Sequence, residues 1–134
     1  MFCIDASVII SGARGGEPYS NRSREFLNGV REEQQRVFLP EIAVPEVASG
    51  LMRGTKDAIF TKSFIESLRA LPNFVFVAID SRLADRAAHI AISTELRSAD
   101  AIYVALAAEY NLTLVSLDRD QLKKGKHIVT TIEP

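Results

Sequence analysis

The chain has 134 residues, enough for one domain with a substantial core of its own. With 47% hydrophobic and 25% charged residues it has the composition of an ordinary globular protein, which excludes a disordered or low-complexity chain. A net charge of −1 excludes a global basic field, so any contact with nucleic acid has to come from local Lys and Arg.

The single cysteine, Cys3, allows no internal disulfide and sits in an apolar run, as a small core residue would. The start, Met1-Phe-Cys-Ile-Asp5, lacks the basic region and long apolar run of a signal peptide. No stretch reaches membrane-spanning length, so a cytoplasmic protein is expected.

In chain order, Phe2-Cys-Ile-Asp5 reads as a short buried strand ending on an acid, and Ala6–Ile10 as a helix closed by Ser11-Gly12. Gly12, Gly15 and Gly16 surround Arg14 in a flexible loop that matches neither a P-loop nor a dinucleotide fingerprint. From Pro18 to Val30, Tyr19, Phe26 and Val30 fall on one helical face. Arg36–Leu39 is a second strand, stopped by Pro40. A helix from Ile42 to Arg53 follows, with Pro45 tolerated in its first turn.

Asp57–Leu71 predicts a helix with an inward stripe of Phe60, Phe64, Leu68 and Leu71, able to pack a partner subunit. Phe74–Ile79 reads as a continuous apolar strand covered on both faces. Asp80 and Ser81, with Ser81 at the N-cap, form an Asp-Ser cap on a helix that turns Leu83, Ala84, Ala87, Ala88 and Ala91 inward and leaves His89 in solvent. Ser98 is placed as the N-cap of a nearly uniformly apolar, buried helix from Ala101 to Ala108, with Asp100 in its first turn. Thr113–Leu117 and Ile128–Ile132 close the chain as strands, with Lys124, Lys126 and His127 in a basic turn. Short apolar strands alternating with helices predict a single domain over residues 1–134, a three-layer α/β/α sandwich with a central parallel sheet.

Ligands of such sheets bind beyond the carboxyl ends of the strands, where the following helices begin. Asp5 ends the first strand, Glu46 opens the helix after the second, Asp100 opens the central helix, and Asp118 ends the strand after it. Each has a bland reading alone: Asp5, Glu46 and Asp100 as helix caps or dipole partners, Asp118 as the start of a turn with Arg119 and Asp120. Placed together at one edge they are costly, because two carboxylates about 5 Å apart repel by roughly 3 kcal/mol at an effective dielectric near 20. They must then hold protons or recruit a cation. Oxygen ligands without His or Cys suit a hard ion, Mg²⁺ or Mn²⁺, and a water beside such an ion suits attack on a phosphodiester.

The same residues resemble the PIN domain, and specifically the VapC-type toxin ribonucleases. Phe2-Cys-Ile-Asp-Ala-Ser7 is similar to the family's opening strand, and Leu39–Leu51 resembles its second motif with Glu46 as the acid. Ser98–Ala107 resembles the third motif, with Asp100 in the metal-binding place, and Leu114-Val-Ser-Leu-Asp118 resembles the fourth. The resemblance implies an endoribonuclease that uses Mg²⁺ or Mn²⁺ on RNA, frequent homodimers, and a small antitoxin protein as partner. It implies Asp5, Glu46, Asp100 and Asp118 as catalytic acids, with Asp5, Asp100 and Asp118 on the metal and Asp120 as the rival fourth acid. Ser7 and Ser116 are then expected to support the acids by hydrogen bonds. Arg14, Arg53, Arg97 and Arg119 adjoin the four motifs and are candidate contacts to the RNA backbone.

Two other readings stay open on sequence alone. One is a receiver-like signalling module with Asp80 as phosphoacceptor, although Asp5 lacks the paired acid such a module needs. The other is a PIN-like domain that binds RNA or protein without turnover.

Overall fold

Burial begins with the first strand. In a computed structural model describing Met1 to Pro134, β1 (Phe2–Ile4) excludes Cys3 and Ile4 completely from solvent. It pairs in parallel with β2 (Val37–Pro40) on one side, through Phe2↔Val37 and Cys3↔Phe38. On the other side it pairs with β4 (Thr113–Val115), through Cys3↔Leu114 and Ile4↔Val115. β3 (Phe74–Val77) and β5 (Thr131–Ile132) are the edges of a five-stranded, all-parallel sheet of order β3-β2-β1-β4-β5.

Seven helices flank the sheet: α1 (Ala6–Arg14), α2 (Ser20–Glu32), α3 (Ala43–Thr55), α4 (Ala58–Arg69), α5 (Ser81–Thr94), α6 (Ser98–Glu109) and α7 (Arg119–Gly125). The strand order reverses between β1 and β4, and the crevice at their carboxyl ends is the switch point of a doubly wound sheet. Asp5 follows β1 and Asp118 follows β4, so the topology alone brings these two acids to that crevice.

The apolar helix expected in the middle of the molecule is α6. It packs across β1, β2 and β4 with Tyr103, Val104, Ala105, Leu106 and Ala107 fully buried. Burying one such large apolar side chain stabilises the fold by about 1.5–3 kcal/mol before entropy is counted.

Several boundaries differ from expectation, each for a physical reason. α1 runs through Ser11 and Gly12 because Gly12 is where α2 approaches, and a Cβ there would stand 2.9 Å from Leu27 Cδ1. The helix stops instead at Gly15, whose φ of 68° favours glycine. Tyr19 precedes α2 and is 39% exposed rather than lying on its inner face. Phe60 is also exposed, while Phe64, Leu68 and Leu71 of its stripe pack against the core. β3 is an edge strand, so none of its residues is fully covered.

α5 is capped by Asp80, whose Oδ1 accepts the Leu83 N–H at 2.9 Å, and not by Ser81. Its inward stripe is Leu83, Ala87 and Ile90, with Ala84 and Ala88 exposed, because burying Ile90 gains more than burying either alanine. His89 is exposed as expected.

The segment after β4 was expected to be a turn and is the seven-residue helix α7. The last strand shrinks to Thr131–Ile132 because the Ile128 and Val129 N–H groups donate to the Gly125 carbonyl and close that helix. No helix is long and apolar enough to cross a membrane.

Candidate active site

A cavity of about 560 Å³ opens at the switch point, and Asp5, Glu46, Asp100 and Asp118 all line it, with Ser7, Ser49, Arg53 and Arg97. Asp5 is fixed twice by the backbone around it. Its N–H donates to the Val115 carbonyl at 2.9 Å, and its Oδ2 accepts the Ser7 N–H at 2.9 Å as the N-cap of α1. Glu46 stands in the first turn of α3, where its Oε2 accepts the Tyr103 hydroxyl at 2.7 Å.

Asp100 stands in the first turn of α6 and accepts the Arg97 Nε–H at 3.0 Å. Arg97, not Ser98, occupies the N-cap position of α6 and makes no cap bond. Its guanidinium instead joins two acids, since its Nη2 also donates to Asp118 Oδ2 at 2.8 Å. Asp118 Oδ1 caps α7 by accepting the N–H groups of Asp120 and Gln121, at 2.9 and 3.0 Å. The two serines brace the same corner: Ser7 Oγ accepts the Leu117 N–H at 3.2 Å, and Ser116 Oγ accepts the Asp118 N–H at 2.9 Å. Asp120 is exposed, pairs with Lys124 at 3.0 Å, and does not line the cavity.

The electrostatics follow from burial and from company. Asp5 has its pKa raised, first by burial and further by the charge of Asp100, against the lowering effect of the Ser7 hydrogen bonds. Burial also raises Glu46, and Asp5 and Asp100 add to it against the Tyr103 hydrogen bond. Asp100 is raised by burial and by Asp118 and Asp120, in spite of Arg97. Three carboxyls on one cavity wall are thus held above their ordinary pKa chiefly by burial, with mutual repulsion adding to it.

Asp80 takes no part. It follows the edge strand β3, lies outside the cavity lining, and uses its carboxylate as a cap. Asp80→Ala is therefore expected to cost about 1 kcal/mol in a urea unfolding curve. A small phosphodonor should leave the mass of the parent protein unchanged.

A family model for the PIN domain matches residues 2–127. The chain belongs to the PIN domain family. No curated protein sequence matches it significantly. Solved structures match this PIN domain closely in shape at low identity. VapBC2 from Rickettsia felis, bound to a promoter DNA fragment, has a TM-score of 0.73 at 12% identity, over 99% of this chain and 98% of that one. FitAcB from Neisseria gonorrhoeae has a TM-score of 0.72 at 22% identity, over 98% and 96%. VapC20 from Mycobacterium tuberculosis, described as a toxin cleaving the sarcin–ricin loop, has a TM-score of 0.74 at 14% identity, over 92% and 94%.

The donors of this PIN domain suit a hard divalent cation: they are carboxylates only, three of them held above their ordinary pKa. As the side chains stand, no three of them are spaced to grip one ion. Arg97 spans Asp100 and Asp118 and supplies positive charge between them.

Two residues at the site escaped the sequence reading. Gln121 is fully buried and donates through Nε2 to Asp5 Oδ1 and to the Asp100 carbonyl, both at 3.4 Å, while its Oε1 has no partner. Its signal was the spacing Asp118-x-x-Gln121, which has the form of a helix-capping pair. Tyr103 was read only as part of an apolar helix, yet it lies one turn after Asp100 and so on the same face.

Proposed function

We propose that this PIN domain is a metal-dependent endoribonuclease, the toxin of a toxin–antitoxin pair. The observation that carries the reading is the convergence of Asp5, Glu46, Asp100 and Asp118 on one cavity at the sheet's switch point. Family membership and the likeness to VapBC2, FitAcB and VapC20 support it. The same likeness supports a small antitoxin protein as partner, and the resemblance to VapC-type toxins carries the further proposal of a homodimer as the working form. The proposed setting is the cytoplasm, with residues 1–134 as one nuclease unit.

In this reading Asp5, Asp100 and Asp118 hold Mg²⁺ or Mn²⁺, and Ser7, Ser116 and Gln121 fix the orientation of those acids. A bound ion supplies Lewis acidity toward the scissile phosphate and the attacking water. Glu46 takes the proton of that water at Oε1, because Oε2 is held by Tyr103. Its raised pKa makes it a better proton acceptor than an exposed glutamate. Arg53 and Arg97 line the same cavity and are placed to take the non-bridging phosphate oxygens. As the water oxygen bonds to phosphorus, the P–O bond to the leaving ribose oxygen breaks and that oxygen takes a proton from solvent, leaving two RNA fragments, one carrying the phosphate.

Cleavage of a mixed RNA pool should vanish in EDTA and return when Mn²⁺ or Mg²⁺ is added in excess. Binding of RNA without any turnover under both ions would favour the second reading, a PIN-like domain kept for binding.

A further inference from the structure

A second cavity, of about 470 Å³, adjoins the carboxylate cavity, with Ser7, Ile10 and Arg53 lining both. Its size falls in the range of small-ligand sites. Its walls come from α1, α3 and the turn before α2, and they carry two guanidinium groups, Arg14 and Arg53, with Tyr19 beside them.

Three features show a built site. Arg14 lies across α3 at Gly54, where any Cβ would collide with its guanidinium. Tyr19 is brought over the cavity by the turn at Gly15 and Gly16, whose φ values of 68° and 75° reverse the chain. Ser11 lines the cavity, is 3% exposed, and has a buried hydroxyl with no hydrogen-bond partner. A buried hydroxyl left unpaired is costly and calls for a polar ligand.

From these we infer that the second cavity is a nucleotide subsite. It holds the residue of single-stranded RNA next to the one at the carboxylates, with its phosphate on Arg14 and Arg53 and its base stacked on Tyr19. The inference rests on the nuclease reading above and extends it. Guanidinium groups match phosphate oxygens in a fork geometry, and an aromatic face accepts any base. Ser11, whose Oγ is buried as it stands, offers a hydrogen bond to the ribose or phosphate once its rotamer turns toward the cavity. Glu17 pairs with Arg14 at 2.8 Å and competes with the incoming phosphate. Arg53 stands where the two cavities meet, so it marks the path of the strand.

The test measures binding of a fluorescein-labelled, mixed-sequence single-stranded RNA decamer in EDTA, and its cleavage in Mn²⁺. Tyr19→Ala is expected to weaken binding about tenfold, and Tyr19→Phe to leave it near the parent value. Tyr19 makes no cap bond and is partly exposed, so neither change threatens the fold. Arg14→Ala should weaken binding and lower the slope of log affinity against log salt by about 0.7, one phosphate contact. Glu17→Gln should tighten binding, a gain that a structural role does not produce. Hydrolysis of bis(p-nitrophenyl) phosphate, which carries no neighbouring nucleotide, should be the same in Tyr19→Ala, Tyr19→Phe and Glu17→Gln as in the parent. If the parent cleaves the decamer while Tyr19→Ala, Arg14→Ala and Glu17→Gln all behave like it, the subsite is refuted and the nuclease reading stands. If the parent neither binds nor cleaves the decamer, both fall.

Discussion

Asp5→Asn and Asp100→Asn are each expected to lower Mn²⁺-dependent RNA cleavage by roughly a thousandfold, about 4 kcal/mol of barrier. Asparagine keeps the shape of aspartate and can still cap a helix, so Asp5→Asn retains the bond from the Ser7 N–H. What it loses is the charge and the acceptor facing Gln121, whose unpaired Oε1 can turn to take the new amide N–H. That charge also opposes folding when no cation is present, so in EDTA the variant should melt a few degrees above the parent at neutral pH.

Asp5, Glu46 and Asp100 have folded-state pKa values above their unfolded ones, chiefly because of burial. Their contribution to stability is whole below the unfolded values, about 4, and is lost as pH rises through the folded values. The melting temperature of the metal-free parent should therefore fall as pH climbs from about 4 toward neutrality, and the gap to Asp5→Asn should widen. Calorimetry at several pH values checks this, and a variant that melts below the parent at neutral pH would contradict it.

Arg97→Ala should bind Mn²⁺ about tenfold more tightly than the parent, measured by titration calorimetry without RNA. The guanidinium bonds both Asp100 and Asp118, and a dication at those carboxylates must displace it or share them with it. Arg97 is largely exposed, so solvent screens much of its charge, and the expected gain is modest. Arg97→Lys keeps the charge without the fork and should fall between the two. RNA affinity should move the other way, because the displaced guanidinium loses its phosphate contact. Weaker Mn²⁺ binding in Arg97→Ala would mean that Arg97 orders the acids for the ion and does not stand in its place.

Much of this was legible in the sequence because strand ends and helix starts are written in local chemistry. Asp5, Asp80 and Asp118 each close an apolar strand and open a helix, and each is a cap in the structure. The uniform apolarity of Ala101–Ala108 marked the helix that the sheet packs against. Long-range events left no such mark. Gly12 looked like a helix stop, and only the approach of Leu27 explains why it is glycine. Ile128 and Val129 have the composition of a strand, but closing α7 through the Gly125 carbonyl competes with pairing to β4 and wins. The choice between Asp118 and Asp120 could not be made from spacing. In the structure Arg97 and the cap of α7 hold Asp118 at the cavity, while Asp120 is exposed and pairs with Lys124.

The most direct measurement is anomalous diffraction from crystals of the full chain grown with Mn²⁺. One strong peak is expected, bounded by Asp5, Asp100 and Asp118, with the Arg97 guanidinium moved off both acids. Crystals that show no manganese there, with Arg97 still spanning Asp100 and Asp118 at high Mn²⁺ concentration, would contradict it.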